Sequence, residues 1–346
     1  MKFIHCADIH LDSPLQGVAN AKVRRQELFD ALYKMFVYAQ NINADGIIIA
    51  GDLFDGAVSE STVKNVAQLF NDSNLPIFVL KGNHGNDGGY FALQQQTNAN
   101  VYYFGNDFTY YTLGDVCICG VELDGVTDQA KWEKFSVDES NYNIVVLHGD
   151  VDSQAYGLIS KDALARSKAN YVALGHRHFF ATHKAGKVPM VYSGVLEARG
   201  FDENQPTGFV VIDTDQRTHT FVQQAIRKVE TIQIDVSSCT NDVQLTSLIN
   251  TILQPFDSRN YLNLVLVGTL NKDISLAHVM SSLKGRAFAL RLQNDTRFDI
   301  DVATLSAEQS LRGEFVRQAM AIPDATLRNQ VLRLGITALL GEEVDL

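Results

Sequence analysis

One repeated local pattern constrains this chain more than any other. Short, mostly apolar runs each end in a small cluster of Asp, Asn or His. Lys2 to Ala7 leads into Asp8-Ile9-His10, and Gly46 to Ala50 into Gly51-Asp52-Leu53-Phe54-Asp55. Pro76 to Leu80 leads into Gly82-Asn83-His84, Ile144 to Leu147 into His148-Gly149-Asp150, and Tyr171 to Leu174 into Gly175-His176-Arg177-His178. Continuous apolar runs of this length read as strands buried on both faces. Helical spacings fall between them. Leu28, Leu32, Met35 and Phe36 share one face of Arg24 to Gln40, and Val63, Val66, Ala67 and Phe70 one face of Ser61 to Phe70. Val116 to Gly120, Met190 to Tyr192 and Gly208 to Asp213 add further strands. The pattern predicts stacked sheets with helices outside, an α/β layered domain. In an open α/β sheet the loops beyond the strands' carboxyl ends converge on one crevice. Five strands would then deliver Asp, Asn and His into one site.

The pattern changes near Val229. Glu230 to Val236 alternates as a strand, Asn241 to Leu253 reads as an amphipathic helix, and Tyr261 to Leu270 as a strand. Ile274 to Leu283 reads as a helix capped by Asp273, and Ala287 to Leu292 as a strand. The expected organisation is a first domain over 1–226, a smaller β-α-β-α-β cap domain over 227–302, and a helical tail over 303–346. In the tail, Ser306 and Gln309 have the spacing of a capping box, and Pro323-Asp324 starts the final helix.

Asp, Asn and His form a hard-to-borderline ligand set suited to Mn²⁺, Fe²⁺ or Zn²⁺. Seven candidate ligands are too many for one ion with open positions and suit two ions sharing a carboxylate. Ions about 3.5–4 Å apart can clamp a phosphoryl group and activate a water. Gly51, Gly82, Gly149 and Gly175 allow tight turns and close backbone approach beside the ligands. Any one of these motifs alone reads as a solvated loop or a helix cap. Five of the nine histidines fall in them, each directly after a strand-like run, and that joint placement points to one shared site.

The ordered series Asp-x-His, Gly-Asp-x-x-Asp, Gly-Asn-His, His-Gly and Gly-His-x-His resembles the calcineurin-like metallophosphoesterase superfamily over residues 1 to about 200. Ala7 to Gly17, Leu147 to Asp150, Tyr171 to His178 and Tyr192 to Glu203 resemble SbcD-type DNA repair nucleases, YhaO-like exonucleases among them. The resemblance implies a four-layer α/β/β/α sandwich carrying a smaller α+β cap domain and a helical C-terminal tail. It implies that Asp8, His10 and His178 hold one ion, that Asn83, His148 and His176 hold the second, and that Asp52 bridges them. His84 would stabilise or protonate the leaving oxygen of a phosphodiester. Mn²⁺ is the expected metal and DNA the expected substrate. The implied partner is a coiled-coil ABC-type ATPase of the SbcC or YhaN kind, consistent with the lack of a Gly-x-x-x-x-Gly-Lys-Ser/Thr loop in this sequence.

One position departs from the family. An acidic residue usually follows Gly-Asn-His and orients the histidine, but here Gly85 follows. Asn86 or Asp87, in the loop Gly85-Asn86-Asp87-Gly88-Gly89, are the candidates to replace it.

The chain carries 29 basic and 40 acidic residues, a net charge of −11, which excludes a generic nucleic-acid coating protein. Local bases offer phosphate contacts: Lys22, Arg24 and Arg25; Arg177, His183, Lys184 and Lys187; Arg199; and, in the cap, Arg286, Arg291 and Arg297. Tyr102, Tyr103, Tyr110 and Tyr111 could stack on bases, but as an edge strand they pack it. Leu305, Leu311, Phe315, Val316, Met320, Leu327, Val331, Leu332, Leu334, Ile336, Leu339 and Leu340 exceed what one helix face needs. They suit packing on a partner, on a second copy of the chain, or on the cap.

Cys6, Cys117, Cys119 and Cys239 read as buried free thiols of a reducing cytoplasm. Charge arrives too early for an export signal, and no apolar run is long enough to span a membrane. Two further readings stay open beside the nuclease: a hydrolase of small phosphoesters, and a weakly active DNA-end-binding scaffold.

Overall fold

The first strand, β1 (Lys2–Cys6), alternates between two apolar neighbourhoods, and this alternation sets the architecture. Phe3 and Ala7 face one core, and Ile4 and Cys6 the other. Period-two burial on both sides is what a strand inside a layered sandwich requires.

The structure is a computed structural model that describes all residues except 16, 17, 19, 86, 126, 127, 152–156, 158, 272, 299–301 and 340–346. Two units separate, Met1–Val229 and Glu230–Leu346. In the first, the elements run β1 (Lys2–Cys6), α1 (Ala21–Asn41), β2 (Gly46–Ala50), α2 (Glu60–Ser73), β3 (Ile77–Leu80), α3 (Asp87–Gln96), β4 (Val101–Tyr103), β5 (Thr109–Leu113), β6 (Val116–Gly120), α4 (Asp128–Glu133), β7 (Tyr142–His148), α5 (Lys161–Arg166), β8 (Tyr171–Gly175), β9 (Ala181–Ala185), β10 (Val188–Tyr192), β11 (Gly208–Asp213) and β12 (Thr218–Gln223).

They form two six-stranded sheets, ordered β12-β11-β1-β2-β3-β4 and β5-β6-β7-β8-β10-β9. The central pairs β1–β2, β2–β3, β6–β7, β7–β8 and β8–β10 are parallel, so their carboxyl ends share a direction within each sheet. Phe3, Ile48, Phe78, Ile118, Ile144, Val146 and Tyr171 fill the space between the sheets. Ile47, Ile49 and Val79 on the outer face of the first sheet pack with residues of α1, α2 and α3. Val145, Leu147, Val172 and Leu174 on the outer face of the second pack with Trp132 of α4 and Leu164 of α5. This is the four-layer α/β/β/α sandwich.

Helix α1 buries Leu28, Ala31, Leu32, Met35, Phe36 and Ala39 on one stripe, and Phe36 stacks on Phe70 of α2 with centroids 5.5 Å apart. Ser59 caps α2, its Oγ accepting from the Thr62 amide. The segment read as a loop around Asp87 is helical from that residue on, despite Gly88 and Gly89.

In the second unit, β13 (Val229–Asp235), β14 (Tyr261–Val267) and β16 (Ala289–Asn294) form one sheet, with α6 (Asp242–Ile252) and α7 (Leu276–Ser282) between them in sequence. Leu245, Ile249 and Val279 of the helices pack against Ile232, Ile234, Leu262, Leu264 and Leu266. The strand expected to run on to Leu270 breaks after Val267. Thr269–Leu270 (β15) then pairs with Arg297–Phe298 (β17) as a separate two-stranded sheet.

Three helices follow: α8 (Val302–Ala307), α9 (Leu311–Met320) and α10 (Ala325–Leu339). Val316, Ala319, Leu332 and Ile336 bury a small core among them, while Leu311, Met320, Leu327 and Leu339 stay exposed. Leu340 lies outside the described residues.

Two caps differ from expectation. Ser275, not Asp273, caps α7, because its extended backbone aims Oγ at the His278 amide. Ser310, not Ser306, caps α9 by accepting from the Gly313 amide, since Ser306 lies inside α8 and donates to the Ala303 carbonyl. Asp324 caps the final helix, accepting from the Thr326 and Leu327 amides.

Candidate metal centre

The loops after the parallel strands are laced together by their backbones. The amides of Ile9 and His10 both donate to the Asp52 carbonyl at 2.9 Å, and the Asp52 amide donates to the Lys81 carbonyl at 2.8 Å. The His84 amide donates to Asp52 Oδ1 at 2.9 Å, and the His176 amide to both Asp8 carboxylate oxygens at 3.1 Å. Asp8, His10, Asp52 and His176 all hold positive φ, between 51° and 103°. Non-glycine residues avoid this region unless the surroundings over-determine it, and such residues cluster at functional sites. Glycine is required where the chain passes closest: a Cβ on Gly175 would run into the Ala50 carbonyl, and one on Gly51 (φ +103°) into the His148 ring.

These turns bring the predicted side chains to one place. Ligand atoms of Asp8, His10 and His178 lie within 4.8 Å of one another, as do those of Asp8, Asp52 and His148. His10 Nε2 is 3.2 Å from His178 Nε2. Asn83 Oδ1 lies 2.8 Å from His148 Nε2 and 3.3 Å from His176 Nδ1. Asp52 Oδ2 is 3.2 Å from His148 Nε2 and 3.9 Å from His10 Nε2, so Asp52 reaches both groups.

The hydrogen-bond pattern shows what such a cluster lacks. His148 Nδ1–H donates to the Ala50 carbonyl at 2.9 Å, which leaves Nε2 of the neutral ring with a lone pair. That lone pair faces two oxygen acceptors, Asn83 Oδ1 and Asp52 Oδ2. On a neutral ring that lone pair and the two oxygens would all be satisfied by one divalent ion, so the residues present fit one.

The electrostatics agree. Burial opposes the charged forms of both Asp52 and His148. Their mutual hydrogen bond and attraction nonetheless take Asp52 down to about 2 and raise His148, whose Nε2 proton an ion would displace. Burial pushes Asp8 up to about 6 against the pull of His148 and His178. Burial, then the Arg199 charge, lowers His10 to about 3 and keeps the ring neutral, the form in which an imidazole can hold a metal.

His84 lies beside this cluster, its ring centroid 4.9 Å from that of His10. Asp87 does not orient it. That carboxylate is exposed and pairs with Lys81 at 2.7 Å, and Asn86 lies outside the described residues. The carboxylate at His84 is Asp55, with Oδ1 3.2 Å from Nδ1. Asp55 closes the Gly-Asp-x-x-Asp motif but carries no expected role. A cross-loop hydrogen bond leaves no local signal.

Glu203 is a second unforeseen residue. It accepts from His178 Nδ1 at 2.9 Å and from Arg199 Nη2 at 2.7 Å. Burial opposes its charge, but His178 and Arg199 take it down to about 2.

The basic residues sort differently from expectation. Arg24 is wholly buried. Its guanidinium bonds Glu27, Glu197 (2.9 Å) and the Ala198 carbonyl, so it belongs to the frame and not to a DNA surface. Arg25 donates to the Ser13 and Pro14 carbonyls, Arg177 to Asp150, and Arg291 to Asn263. Lys22, Lys184, Lys187 and Arg286 are exposed, and the Arg297 side chain lies outside what the structure describes. Tyr102 and Tyr111 pack on each other and on Phe78. All four cysteines are free and buried.

A sandwich of this kind with such a cluster at its strand ends defines a metallophosphoesterase, a class of metal-dependent hydrolases. Residues 1–180 match the calcineurin-like phosphoesterase family, and the chain belongs to it. It is 25% identical over 274 residues to the uncharacterized metallophosphoesterase YhaO of Bacillus subtilis, covering 72% of this chain and 66% of that protein. It is 27% identical over 228 residues to the DNA double-strand break repair protein Mre11 of Archaeoglobus fulgidus, covering 57% and 50%. Over 105 residues it is 30% identical to the SbcD component of the SbcCD nuclease of Bacillus subtilis, covering 29% and 26%. The chain thus spans about half to two thirds of the length of the first two relatives. Among the described residues no helix is long and apolar enough to cross a membrane.

Proposed function

We propose that the chain is a dinuclear-metal-dependent DNA phosphodiester hydrolase acting as an exonuclease, with Mn²⁺ as its ions. Asp8, His10 and His178 hold one ion, Asn83, His148 and His176 the other, and Asp52 both. The observation that carries this reading is the set of lone pairs from His148, Asn83 and Asp52 turned on one point. Two bound ions supply positive charge against a phosphate and make a water nucleophilic near neutral pH.

The protein's own contribution is positioning and proton handling. Hydrogen bonds from His148 and from the His84 amide keep Asp52 ionised. The Ala50 carbonyl fixes which nitrogen His148 offers, and Glu203 does the same for His178. His84, half exposed beside the cluster, donates a proton to the leaving oxygen.

The DNA reading draws support from the relatives named for double-strand break repair and for SbcCD nuclease. Residues 227–302 serve as the cap domain and 303–346 as a helical tail. The exposed Leu311, Met320, Leu327 and Leu339 of the tail suit a protein partner, an ABC-type ATPase of the SbcC/YhaN kind or a second copy.

The test pairs labelled single- and double-stranded DNA with bis(p-nitrophenyl) phosphate, in Mn²⁺ and in EDTA. The expected result is degradation of DNA in Mn²⁺ and none in EDTA. Cleavage of the ester with DNA intact would move the substrate to small phosphoesters, and DNA binding without any cleavage would leave a scaffold. With a net charge of −11, binding by the isolated chain should be weak, metal-dependent and salt-sensitive. Tight binding in EDTA at physiological salt contradicts this.

A further inference from the structure

We propose that Tyr90 is a positioning residue for the metal cluster, setting the loop of Asn83 against the loop of Asp52, and that position 85 is glycine to make room for its ring. The inference rests on the dinuclear reading above. The backbone itself does not require glycine at position 85, because Gly85 does not adopt a positive φ. The requirement comes from Tyr90. A Cβ on Gly85 would collide with Cε2 of the Tyr90 ring, and Cδ2 and Cζ would lie only 3.1–3.2 Å away. The departure from the family pattern after Gly-Asn-His is thus the counterpart of an aromatic side chain in the helix that follows, α3.

Tyr90 is buried, and its hydroxyl works on two backbones at once. It accepts from the Leu53 amide at 3.0 Å and donates to the Lys81 carbonyl at 2.8 Å. That same carbonyl accepts from the Asp52 amide at 2.8 Å. One phenol therefore closes a ring of hydrogen bonds between the loop after β2, which carries Asp52, and the loop after β3, which carries Asn83. The aromatic ring is fixed as well, edge-on to Phe54 with centroids 5.2 Å apart. Leu53 is wholly buried, so without the hydroxyl its amide loses an acceptor that water cannot readily replace. The loop after β2 has further ties, since the Ile9 and His10 amides donate to the Asp52 carbonyl and the Leu11 amide to the Leu53 carbonyl, all at 2.9 Å. Loss of the hydroxyl is therefore felt first in the loop after β3. Asn83 moves with that loop, and its Oδ1 lies 2.8 Å from His148 Nε2 and 3.3 Å from His176 Nδ1. The ion held by Asn83, His148 and His176 is the one that depends on Tyr90.

The test is calorimetric titration of the metal-free full chain with Mn²⁺, read as two affinities, beside the melting temperature in chelator. Tyr90→Phe keeps the ring and removes only the hydroxyl. It should weaken one ion by about 10–100-fold, the range for losing a group behind metal ligands, and the other by a few-fold at most. The weakened ion should be the one that Asn83→Ala removes. Unchanged affinities overturn the proposal. So does a lower melting temperature with both ions weakened alike, which is what a merely structural tyrosine would give. The steric half is read by coupling. Gly85→Ala should weaken the same ion in the presence of Tyr90, but change it by less than about twofold on top of Tyr90→Leu, where no ring stands in the way. A harmless Gly85→Ala beside Tyr90, or equal harm in its absence, overturns the pairing. If Tyr90→Leu does not fold, Tyr90→Phe and Gly85→Ala decide alone. Wild type that takes up fewer than two ions overturns the dinuclear reading and the proposal with it. Two ions bound equally well by wild type and Tyr90→Phe overturn the proposal only.

Discussion

The two halves of the proposed metal cluster are held by different means. On one side His148 is tied to the sheet itself, donating Nδ1–H to the Ala50 carbonyl at the end of β2. On the other, His178 is backed by a charged pair, Glu203 and Arg199, from the segment after β10, and Arg199 reaches on to Asp55. A backbone carbonyl in a buried strand has one position. A carboxylate on a loop has that position only while its own partners hold it. The His148 half is therefore anchored in the fold, and the His178 half can be perturbed alone. Asp52 is the residue common to both.

The largest expected effect follows from that shared residue. Asp52→Ala removes the oxygen facing His148 and His10 and leaves both halves without their common carboxylate. Hydrolysis should fall to background, with metal content by elemental analysis dropping toward zero. Full occupancy of two ions in this variant would end the bridging assignment.

A step smaller is Arg24→Ala. Glu197, 2% exposed, loses its buried partner but still accepts from the Ile226 and Arg227 amides at 2.7 and 3.1 Å. Breaking one side of a buried pair costs about 3–5 kcal/mol, read as a shift of the denaturant midpoint. Glu197 begins the segment that carries Arg199 and Glu203, so damage should be felt first at the His178 half. A loss of DNA affinity at unchanged stability would instead return Arg24 to a surface role.

Glu203→Gln probes the charged backing directly. Loss of a carboxylate behind a ligating histidine costs about 10–100-fold in metal affinity. Titration of the metal-free protein should show one ion weakened by that factor and the other unchanged. Equal weakening of both would mean that the halves are not separately supported.

What could be read ahead of the structure follows the same division. Asp8, His10, Asp52, Asn83, His84, His148, His176 and His178 stand after apolar strands, and chain order alone carries them to one end of the parallel strands of two mixed sheets. Their supports are not legible that way. Asp55 meets His84 across 29 positions and Arg24 meets Glu197 across 173, so neither leaves a local pattern. Arg24 follows a polar loop and reads as a surface base until its buried partner is known. Asp87 sits in the right loop but opens a helix and turns to Lys81. The Ser306 and Gln309 spacing satisfies a capping rule, yet the short α8 takes Ser306 into its interior and passes the cap to Ser310.

The smallest effect at neutral pH concerns the joint between the sheets. His5 on β1 is fully buried, with Nδ1 3.0 Å from the Tyr171 hydroxyl and Nε2 3.2 Å from the Leu174 carbonyl of β8. It thereby ties the strand leading to Asp8 and His10 to the strand leading to His176 and His178. Burial lowers its pKa to about 3, against 6.5 in the unfolded chain. Below pH 6.5 the unfolded chain therefore binds the extra proton. The stability His5 contributes is complete above pH 6.5 and is lost as pH falls toward 3. Asp8 works in the opposite direction over part of this range, because its raised pKa makes the folded form take up a proton near pH 6. The observable is accordingly a difference. Melting temperatures of wild type and His5→Gln, both in chelator so that bound ions add nothing, should diverge least at low pH and most above 6.5. Parallel curves across that window would mean that His5 titrates alike in both states, and that the joint between the two ligand-bearing strands does not depend on a neutral imidazole.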